Sequence, residues 1–292
     1  MDGLIDRLHA LCDAQPFDTA WYFKDLASGL TADRGGGVVA PSGSTRKIAI
    51  LMTAMRAVHA GRLSLTQPVV MRAEHQISSS GCFQHFLPGF TIPFRDVLVM
   101  MIIVSDNTCT GAAVEMVGLD SVNEFCRSIG MVGTVHRQAI PPDADPSGDS
   151  GPDLDRTNVT TPADVGRLLD LILLGAGDPA AAAKLGCGPA LCRLALDILS
   201  WQRLQQRLPL LLPAGAKVAH KGGIAGNNFS DAGIVFEGDR PRFILTAYTG
   251  RVPAVTPNGA PGRAAAGAHI GRLCRTCWDA LKSDEAPAYT GP

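Results

Sequence analysis

The sequence predicts an α+β fold in which an antiparallel sheet flanked by helices adjoins an all-helical lobe. Three observations predict it. Segments with strand-like alternation lie near both ends of the chain, helical apolar spacing dominates the middle, and turns containing Gly and Asp separate the strand-like segments. With 292 residues, 46% of them hydrophobic, the chain can bury a sizeable core.

The first part of the chain predicts one helix followed by a hairpin. Residues Leu4–Cys12 have helical apolar spacing. Two short strands are predicted at Thr19–Phe23 and Leu30–Asp33, and the turn between them contains Asp25 and Gly29. After Pro41 the pattern changes to a helix that continues until Gly61, with apolar residues recurring at Ile48, Leu51, Met52, Met55 and Val58.

The middle of the chain is predicted to be helical except for one long connection. Further helical segments are predicted at Phe94–Val104, Thr108–Val117, Ser121–Ile129, Pro162–Leu174 and Ala190–Gln206. The segment between Ile129 and Pro162 is instead rich in Pro, Gly and Asp. A connection of this length in a compact domain is typical of a functional or a disordered loop.

Strands return near the C-terminus. They are predicted at Lys217–Lys221, Ser230–Phe236 and Arg242–Thr249, a last helix is predicted at Ala264–Lys282, and Ser283–Pro292 is expected to be a flexible tail. The strands at the two ends of the chain should share one antiparallel sheet. We therefore expect a single domain in two lobes, an α/β lobe of about residues 1–43 and 214–282 and a helical lobe of about residues 44–213. The cleft between lobes is where a site is expected.

Charge and hydropathy exclude several kinds of partner. The formal net charge is −1 and no stretch concentrates Lys and Arg, so neither nucleic acid nor an anionic membrane surface is an expected partner. The apolar run Val97–Val104 is far shorter than the about 20 residues that a membrane helix needs. The acidic N-terminal segment lacks the features of a secretory signal, so we expect a cytoplasmic protein, or a periplasmic or secreted one if a signal has been removed. We also expect a monomer.

The eight cysteines allow a sharper and a plainer interpretation. Cys274 and Cys277 form a C-x-x-C that could be half of a zinc site or a redox pair. No second C-x-x-C accompanies it, and the pair lies inside a helical pattern, which favours buried free thiols. The run Gly35–Gly37 lacks the context of a phosphate-binding loop. We therefore expect no metal and no organic cofactor.

The segment Ser44-Thr45-Arg46-Lys47 carries the first pattern with chemical meaning. Serine before an apolar helix is often only an N-cap. Lysine three residues later, however, lies on the same helix face, and a hydroxyl next to an amine of lowered pKa is an activated nucleophile. The helix N-terminus would also place backbone N–H groups near a developing oxyanion.

Two further polar segments follow at a distance. Ser105-Asp106-Asn107 comes directly after the apolar run ending at Val104, where a helix cap or loop is the plainer interpretation. Lys221-Gly222-Gly223, preceded by His220 and followed by Ile224, lies on a predicted strand. Each of these segments is ordinary when taken alone.

Together and in this order, the three segments resemble the class A β-lactamases and penicillin-binding proteins, whose motifs are S-x-x-K, S-D-N and K-T-G. The resemblance can be followed from about Trp21 to Leu281 and includes Gly61–Leu65, Phe94–Leu98 and Asp155–Pro162. It implies that Ser44 is the acylated nucleophile, that Lys47 accepts its proton, that Ser105 relays the proton to the leaving nitrogen and that Lys221 holds this relay electrostatically.

The resemblance also implies a substrate-binding strand. Asn107 would hydrogen-bond the substrate's amide side chain, and Gly222, Gly223 and Ile224 would line the substrate. The oxyanion hole would consist of the backbone N–H groups of Ser44 and Ile224. Asp106 is interpreted as structural.

The sequence departs from the family pattern at two places. Gly222 replaces the hydroxyl residue of K-T-G, which in the family helps to bind the substrate's carboxylate. The Ω-loop glutamate that activates the deacylating water is also missing, because no Glu lies between Ile129 and Pro162. The remaining candidates for this base are Lys47, His220 and the loop aspartates, which are Asp143, Asp145, Asp149, Asp153 and Asp155.

Three functions follow from the resemblance. The preferred one is a serine hydrolase that opens the amide C–N bond of β-lactams or related cyclic amides, with weak or atypical turnover. The second is a peptidase, esterase or acyltransferase that acts on another substrate. The third is a covalent penicillin-binding protein that deacylates slowly. The expected partner is a small-molecule amide or β-lactam substrate.

Overall fold

The elements of the computed structural model, which describes residues 2–77, 80–140 and 153–281, follow the predicted order of strands, helices and strands. The helices are α1 (Asp2–Asp13), α2 (Lys47–His59), α3 (Phe94–Ile103), α4 (Asn107–Val117), α5 (Leu119–Ser128), α6 (Pro162–Gly177), α7 (Pro179–Lys184), α8 (Pro189–Ser200) and α9 (Gly262–Leu281). The strands are β1 (Asp18–Asp25), β2 (Thr31–Arg34), β3 (Ala40–Pro41), β4 (Pro68–Val70), β5 (Thr91–Pro93), β6 (Val159–Thr160), β7 (Ala216–Ala225), β8 (Asn228–Glu237) and β9 (Arg240–Gly250).

The main sheet joins the two ends of the chain, as predicted. Its strand order is β2-β1-β9-β8-β7, and every neighbouring pair is antiparallel. The pairing of β1 with β9 sets Trp21 opposite Ala247. In this order β7, the strand with the third motif, is an edge strand.

Each face of this sheet packs against its own group of helices. One face contributes Ala219, Ala232 and Ile234 to the large core that also contains the apolar side chains of α2–α6 and α8. The other face contributes Val218 and Phe243 to a second core with side chains of α1 and α9. Burying each large apolar side chain contributes about 1.5–3 kcal/mol, so the two cores fix the sheet between helices.

Strand β7 divides its side chains between these two cores. Because successive side chains of a strand point to opposite faces, Ala219 and Lys221 face the helical core, while Val218 and His220 face α1 and α9. This alternation decides which residues of the third motif can reach the first two motifs.

One predicted helix ends earlier than expected. The prediction of Ala190–Gln206 is wrong beyond Ser200, where α8 ends. The chain then turns because Gln202 donates its side-chain amide to Ile102 O at 2.9 Å, and the backbone amide of Arg203 donates to Ile103 O at 2.9 Å. These contacts with the end of α3 redirect the chain toward β7.

The two ends of the long connection are held beside the start of α2. Strand β3 pairs with β6 through Ala40↔Thr160, and Val135 forms a bridge with Val159. The interior of the connection, residues 141–152, and the predicted tail at Ser283–Pro292 lie outside the described residues. Within the described ranges, no helix is both long enough and apolar enough to cross a bilayer.

Candidate active site

Ser44 lies on a tight turn that leads directly into α2. Residues Gly43–Arg46 form a 3₁₀ turn and Lys47 is the first residue of the α-helix. Residues three apart are aligned along a 3₁₀ turn, so Ser44 and Lys47 lie on one side of it. Ser44 is half-buried and does not occupy a capping position, while Lys47 is buried.

The Lys47 amine joins the first motif to the second. In its protonated form its Nζ donates to Ser105 O at 2.7 Å, to Ser105 Oγ at 3.1 Å and to Asn107 Oδ1 at 2.7 Å, and loss of one of these protons leaves a lone pair that can accept a proton. Three of the predicted site residues therefore meet at one nitrogen atom. A proton on Lys47 has a direct hydrogen bond to the Ser105 hydroxyl along which it can move.

The electrostatics of this cluster favour the neutral form of Lys47. Burial holds the pKa of Lys47 well below its ordinary value, and the positive charges of Lys221 and Arg46 lower it further. Burial also lowers the pKa of Lys221 to about 7. A lysine whose pKa is lowered in this way can act as a general base near neutral pH.

Ser105 has a strained backbone, and the next residue, Asp106, anchors the adjoining segments. Its φ of 60° lies in the left-handed region, which costs a non-glycine residue about 1–3 kcal/mol and is found at functional sites. The Asp106 carboxylate accepts from the backbone amides of Cys109 at 3.0 Å, Cys82 at 2.6 Å and Phe83 at 2.8 Å. It caps α4 and also fixes the neighbouring loop, which accounts for its structural role.

A glycine makes the approach of this loop possible. A Cβ on Gly81, whose φ is 101°, would lie 2.4 Å from Asp106 Cα. The same loop is tied to the motif by Ser80, whose Oγ donates to Ser105 O at 2.9 Å and whose carbonyl accepts from the Asn107 amide at 2.9 Å. Reading the motif from the sequence missed Gly81, although a glycine in a polar segment upstream of S-D-N was the available signal.

The nucleophile turn packs directly on the third motif. A Cβ on Gly43 would lie 2.7 Å from the amide nitrogen of Ile224, and a Cβ on Gly223 would lie 3.0 Å from the amide nitrogen of Ser44. The two glycines thus let the turn and the edge strand touch through their backbones. This contact brings the amides of Ser44 and Ile224 into the neighbourhood that an oxyanion hole requires.

The place of the missing hydroxyl is taken by an arginine. A Cβ on Gly222 would lie 2.5 Å from Arg207 Nη1, so the guanidinium fills the space that a side chain at this position would need. The ion pairs of the described residues do not include Arg207. Sequence reasoning missed Arg207 because it lies far from the motif in sequence and reaches Gly222 only through the turn that follows α8.

Comparison with known proteins decides the family. The chain matches the model of the beta-lactamase enzyme family over residues 3–281. This chain belongs to the beta-lactamase enzyme family. The resemblance and the α+β fold class predicted from the sequence are confirmed, and the coarse function is that of a serine hydrolase family acting on amides.

Solved structures similar to this beta-lactamase-family chain cover nearly all of it. A beta-lactamase from Sphaerobacter thermophilus is 24% identical with a TM-score of 0.79, covering 96% of this chain and 97% of that chain. PBP-A is 26% identical with a TM-score of 0.80, covering 96% of each chain. A mutant of PBP-A in an acyl-enzyme complex with penicillin G is 28% identical with a TM-score of 0.79, again covering 96% of each. No curated protein matches the chain by sequence.

Both ends of the long connection between Ile129 and Pro162 are anchored to the nucleophile turn. Asn158 accepts the Ser42 amide at its carbonyl at 2.8 Å and the Gln138 amide at its Oδ1 at 3.0 Å. The buried Arg46 donates to the carbonyl oxygens of Gln138, at 2.6 Å, and Ala139. Sequence reasoning also missed Arg46, which lies inside the first motif.

The structure does not bring His220 to the Ser44–Lys47 cluster. Its Nδ1 lies 3.0 Å from Asp231 Oδ1, and both side chains are buried on the face of the sheet that packs against α1 and α9. Lys221, one residue later, faces the opposite side. This placement removes His220 from the candidates for the deacylating base.

The two loop aspartates in the described part of the chain also form no hydrogen bond with the Ser44–Lys47 cluster. Asp153 and Asp155 are exposed, and the Asp155 amide bonds to Asp153 Oδ1 at 2.9 Å in a local turn. Asp143, Asp145 and Asp149 lie outside the described residues. Among the described side chains, no group of three His, Cys, Asp or Glu residues could hold a metal ion.

The contact between the turn and the edge strand gives a testable expectation. We expect Gly223→Ala to lower the acylation rate by at least about 100-fold, because the new Cβ would lie 2.6 Å from Ser230 Oγ, 2.9 Å from Ser42 O and 3.0 Å from the Ser44 amide nitrogen. Relieving these contacts would move the nucleophile turn away from the edge strand and weaken an oxyanion donor. Stopped-flow measurement with a chromogenic cephalosporin would show it. The matched control is Gly37→Ala, where a Cβ meets nothing within 4 Å. A near-normal rate in Gly223→Ala would contradict the assignment of the oxyanion hole.

Proposed function

We propose that this chain is a serine hydrolase that forms an acyl-enzyme on Ser44 from a β-lactam or a related cyclic amide. The observation that carries the proposal is the hydrogen bonding of the buried Lys47 amine to both Ser105 and Asn107, one helical turn from Ser44. The contact of the Ser44 turn with Ile224 supplies the second requirement of acyl transfer, an oxyanion site.

The residues support a balanced sequence of steps. The Ser44 Oγ bonds to the carbonyl carbon as its proton passes to the neutral Lys47 amine, and the oxyanion accepts hydrogen bonds from the amides of Ser44 and Ile224. When the tetrahedral intermediate collapses, the C–N bond breaks. Ser105 then gives its hydroxyl proton to the leaving nitrogen and regains one from Lys47 along the 3.1 Å hydrogen bond.

The substrate in this proposal carries a carboxylate. The guanidinium of Arg207 lies against the edge strand at Gly222, where the family's hydroxyl would otherwise meet that group. Arginine presents several N–H donors in a planar arrangement that suits a carboxylate. Asn107 is the proposed partner of the acyl side-chain amide, and Lys221 contributes positive charge to the same end of the site.

Release of the acyl group is the slow step of the proposed reaction. His220 bonds to Asp231, Asp153 and Asp155 are exposed, and the chain has no glutamate between Ile129 and Pro162. Water activation therefore lacks the carboxylate that makes deacylation fast in class A enzymes. We infer slow turnover of β-lactams with accumulation of the acyl-enzyme.

The test is the time course of the adduct after mixing with benzylpenicillin. We expect a burst of close to one equivalent per protein followed by a slow steady state, because acylation is faster than hydrolysis. Quenched intact-mass spectrometry follows the adduct directly. Rapid turnover without a detectable adduct would show that a residue outside those described activates water. The absence of both adduct and turnover, with labelling by a chromogenic ester, would move the assignment to an esterase or peptidase.

A further inference from the structure

Arg46 is a buried cation directly before the base of the proposed reaction. It ends the 3₁₀ turn that carries Ser44, and α2 begins at the next residue, Lys47. Arg46 is 3% exposed, and the ion pairs of the described residues do not include it. Burying a charge without a counter-charge is costly, so other contacts must hold the guanidinium in this place.

Two backbone carbonyls of the long connection supply those contacts. Arg46 Nη1 donates to Gln138 O at 2.6 Å, and Nη2 donates to Ala139 O. Hydrogen bonds of a charged donor are stronger than those of neutral groups, which offsets part of the cost of burial. A carbonyl group carries no net charge, however, so the positive charge of Arg46 is not neutralised by these partners.

The part of the connection that holds Arg46 is itself fixed to the nucleophile turn. Asn158 Oδ1 accepts from the backbone amides of Arg137 at 2.7 Å and Gln138 at 3.0 Å. The backbone amide of Ser42 donates to Asn158 O at 2.8 Å. These contacts form a closed ring that begins and ends on the turn. The guanidinium therefore cannot leave its position without breaking the ring.

The charge of Arg46 acts on two buried neighbours. It lowers the pKa of Lys47, after the larger effects of burial and of Lys221. Burial, and then Arg46, also lower the pKa of His136 to about 3, so that this imidazole is neutral near neutral pH and adds no charge of its own. Arg46 is thus a fixed source of positive potential in this part of the interior.

Charges of both signs surround the Lys47 amine. Lys221 on β7 and Arg46 on the turn lower its pKa, whereas Asp106 at the start of α4 raises it. Cys109 on α4 would also raise it as a thiolate, but burial and Asp106 raise the pKa of this thiol, which therefore stays neutral. Two cations against one anion leave a positive potential at the amine, and this favours its neutral form.

We propose that Arg46 is a positioning residue for the acyl-transfer reaction, a cation that the carbonyls of the long connection hold beside Lys47 to keep its amine neutral. This inference rests on the proposed function, because Lys47 is the base of that reaction. Burial lowers the pKa of Arg46 itself to about 10, so it stays charged below that pH. The connection, which contains no glutamate, would then support the base through its backbone.

The test is the pH profile of covalent labelling at Ser44, measured with benzylpenicillin and with a fluorophosphonate. In the second reaction Ser44 Oγ bonds to phosphorus, its proton passes to Lys47 and the P–F bond breaks to release fluoride. Arg46→Gln removes the charge and keeps a donor for one carbonyl. It should move the acidic limb of both profiles to higher pH and lower the rate on that limb about tenfold, because loss of a neighbouring positive charge favours the protonated amine. The limiting rate at full deprotonation of Lys47 should stay close to that of the wild type.

Matched variants separate the charge of Arg46 from its packing. Arg46→Lys keeps a cation but lacks the planar guanidinium, and it should return the acidic limb toward its wild-type position. Arg56→Gln removes another arginine of α2, one whose Nε would lie 2.9 Å from a Cβ on Gly186, and it should leave the profile unchanged. If Arg46→Gln fails to fold, Arg46→Met tests the same loss of charge with an apolar side chain. Thermal melting reports the stability of each variant.

Each result decides the proposal. A limb that moves in Arg46→Gln and returns in Arg46→Lys supports it. An unmoved limb would overturn it, and a lower limiting rate would then show a merely structural role. An equal shift in Arg46→Lys or in Arg56→Gln would overturn it too, as would failure of both neutral variants to fold.

The two probes distinguish this proposal from the proposed function. If the fluorophosphonate profile shifts as expected in a protein that benzylpenicillin does not label, the role of Arg46 stands and β-lactams are removed from the proposed function. A wild-type protein that neither probe labels would overturn both.

Discussion

Replacing Lys47 with arginine is expected to lower the rate of Ser44 acylation about 100- to 10,000-fold, the range that a general base contributes. Arginine keeps a positive charge and hydrogen-bond donors, but its guanidinium cannot lose a proton at working pH. It therefore cannot accept the proton of Ser44. Stopped-flow acylation by benzylpenicillin measures the effect, with thermal melting as the control for folding. An arginine variant that acylates at a near-normal rate would contradict the role of Lys47.

The pH dependence of the wild-type protein tests the same role without a substitution. The active form is the neutral amine, and burial together with Lys221 and Arg46 holds the pKa of Lys47 well below its ordinary value. The acylation rate should thus rise with pH and level off well below the range in which free lysine titrates. Burial lowers the pKa of Lys221 to about 7. Loss of the Lys221 charge at alkaline pH should therefore reduce the acylation rate again. A rate that rises steadily to the ordinary lysine pKa of about 10.4 would argue against Lys47 as the base.

Ser44→Ala should abolish covalent labelling by fluorescent penicillin and by a fluorophosphonate. The half-buried hydroxyl lies at the turn that touches Ile224, and alanine removes the only atom that can form the acyl bond there. The substitution deletes one oxygen from a position that is not a helix cap, so the fold should be retained. Gel fluorescence and circular dichroism check the two expectations. Full labelling of the alanine variant would remove Ser44 from the mechanism.

Local patterns were sufficient for the family and the fold class. The order of S-x-x-K, S-D-N and K-G-G predicted the family, and the strand-like ends predicted a shared sheet, which the β1–β9 pairing confirms. Both predictions depend on spacing within short segments, where hydrophobic periodicity is informative.

The sequence contained a signal against His220 as a candidate base. Adjacent residues of a strand face opposite sides, so Lys221 at the site implies that His220 points away from it. The structure places His220 on Asp231 for this reason. Strand alternation alone could have excluded it as a base.

Arg207 could not be predicted from local patterns. The segment before it continues the apolar spacing of α8, and the helix ends only because Gln202 and Arg203 bond to the end of α3. Those are contacts between residues about a hundred positions apart, which tertiary packing decides. The position of Arg207 beside Gly222 follows from that turn and from Asp231.

The most direct test of acyl transfer at Ser44 is peptide mapping of the protein after a short exposure to benzylpenicillin. We predict a single penicilloyl adduct on the peptide that contains Ser44, formed at about one equivalent and absent from Ser44→Ala. The exposed thiol of Cys82, whose backbone amide donates to Asp106, is a competing nucleophile near the second motif. An adduct on Cys82 or on Lys47, with Ser44 unmodified, would contradict the account.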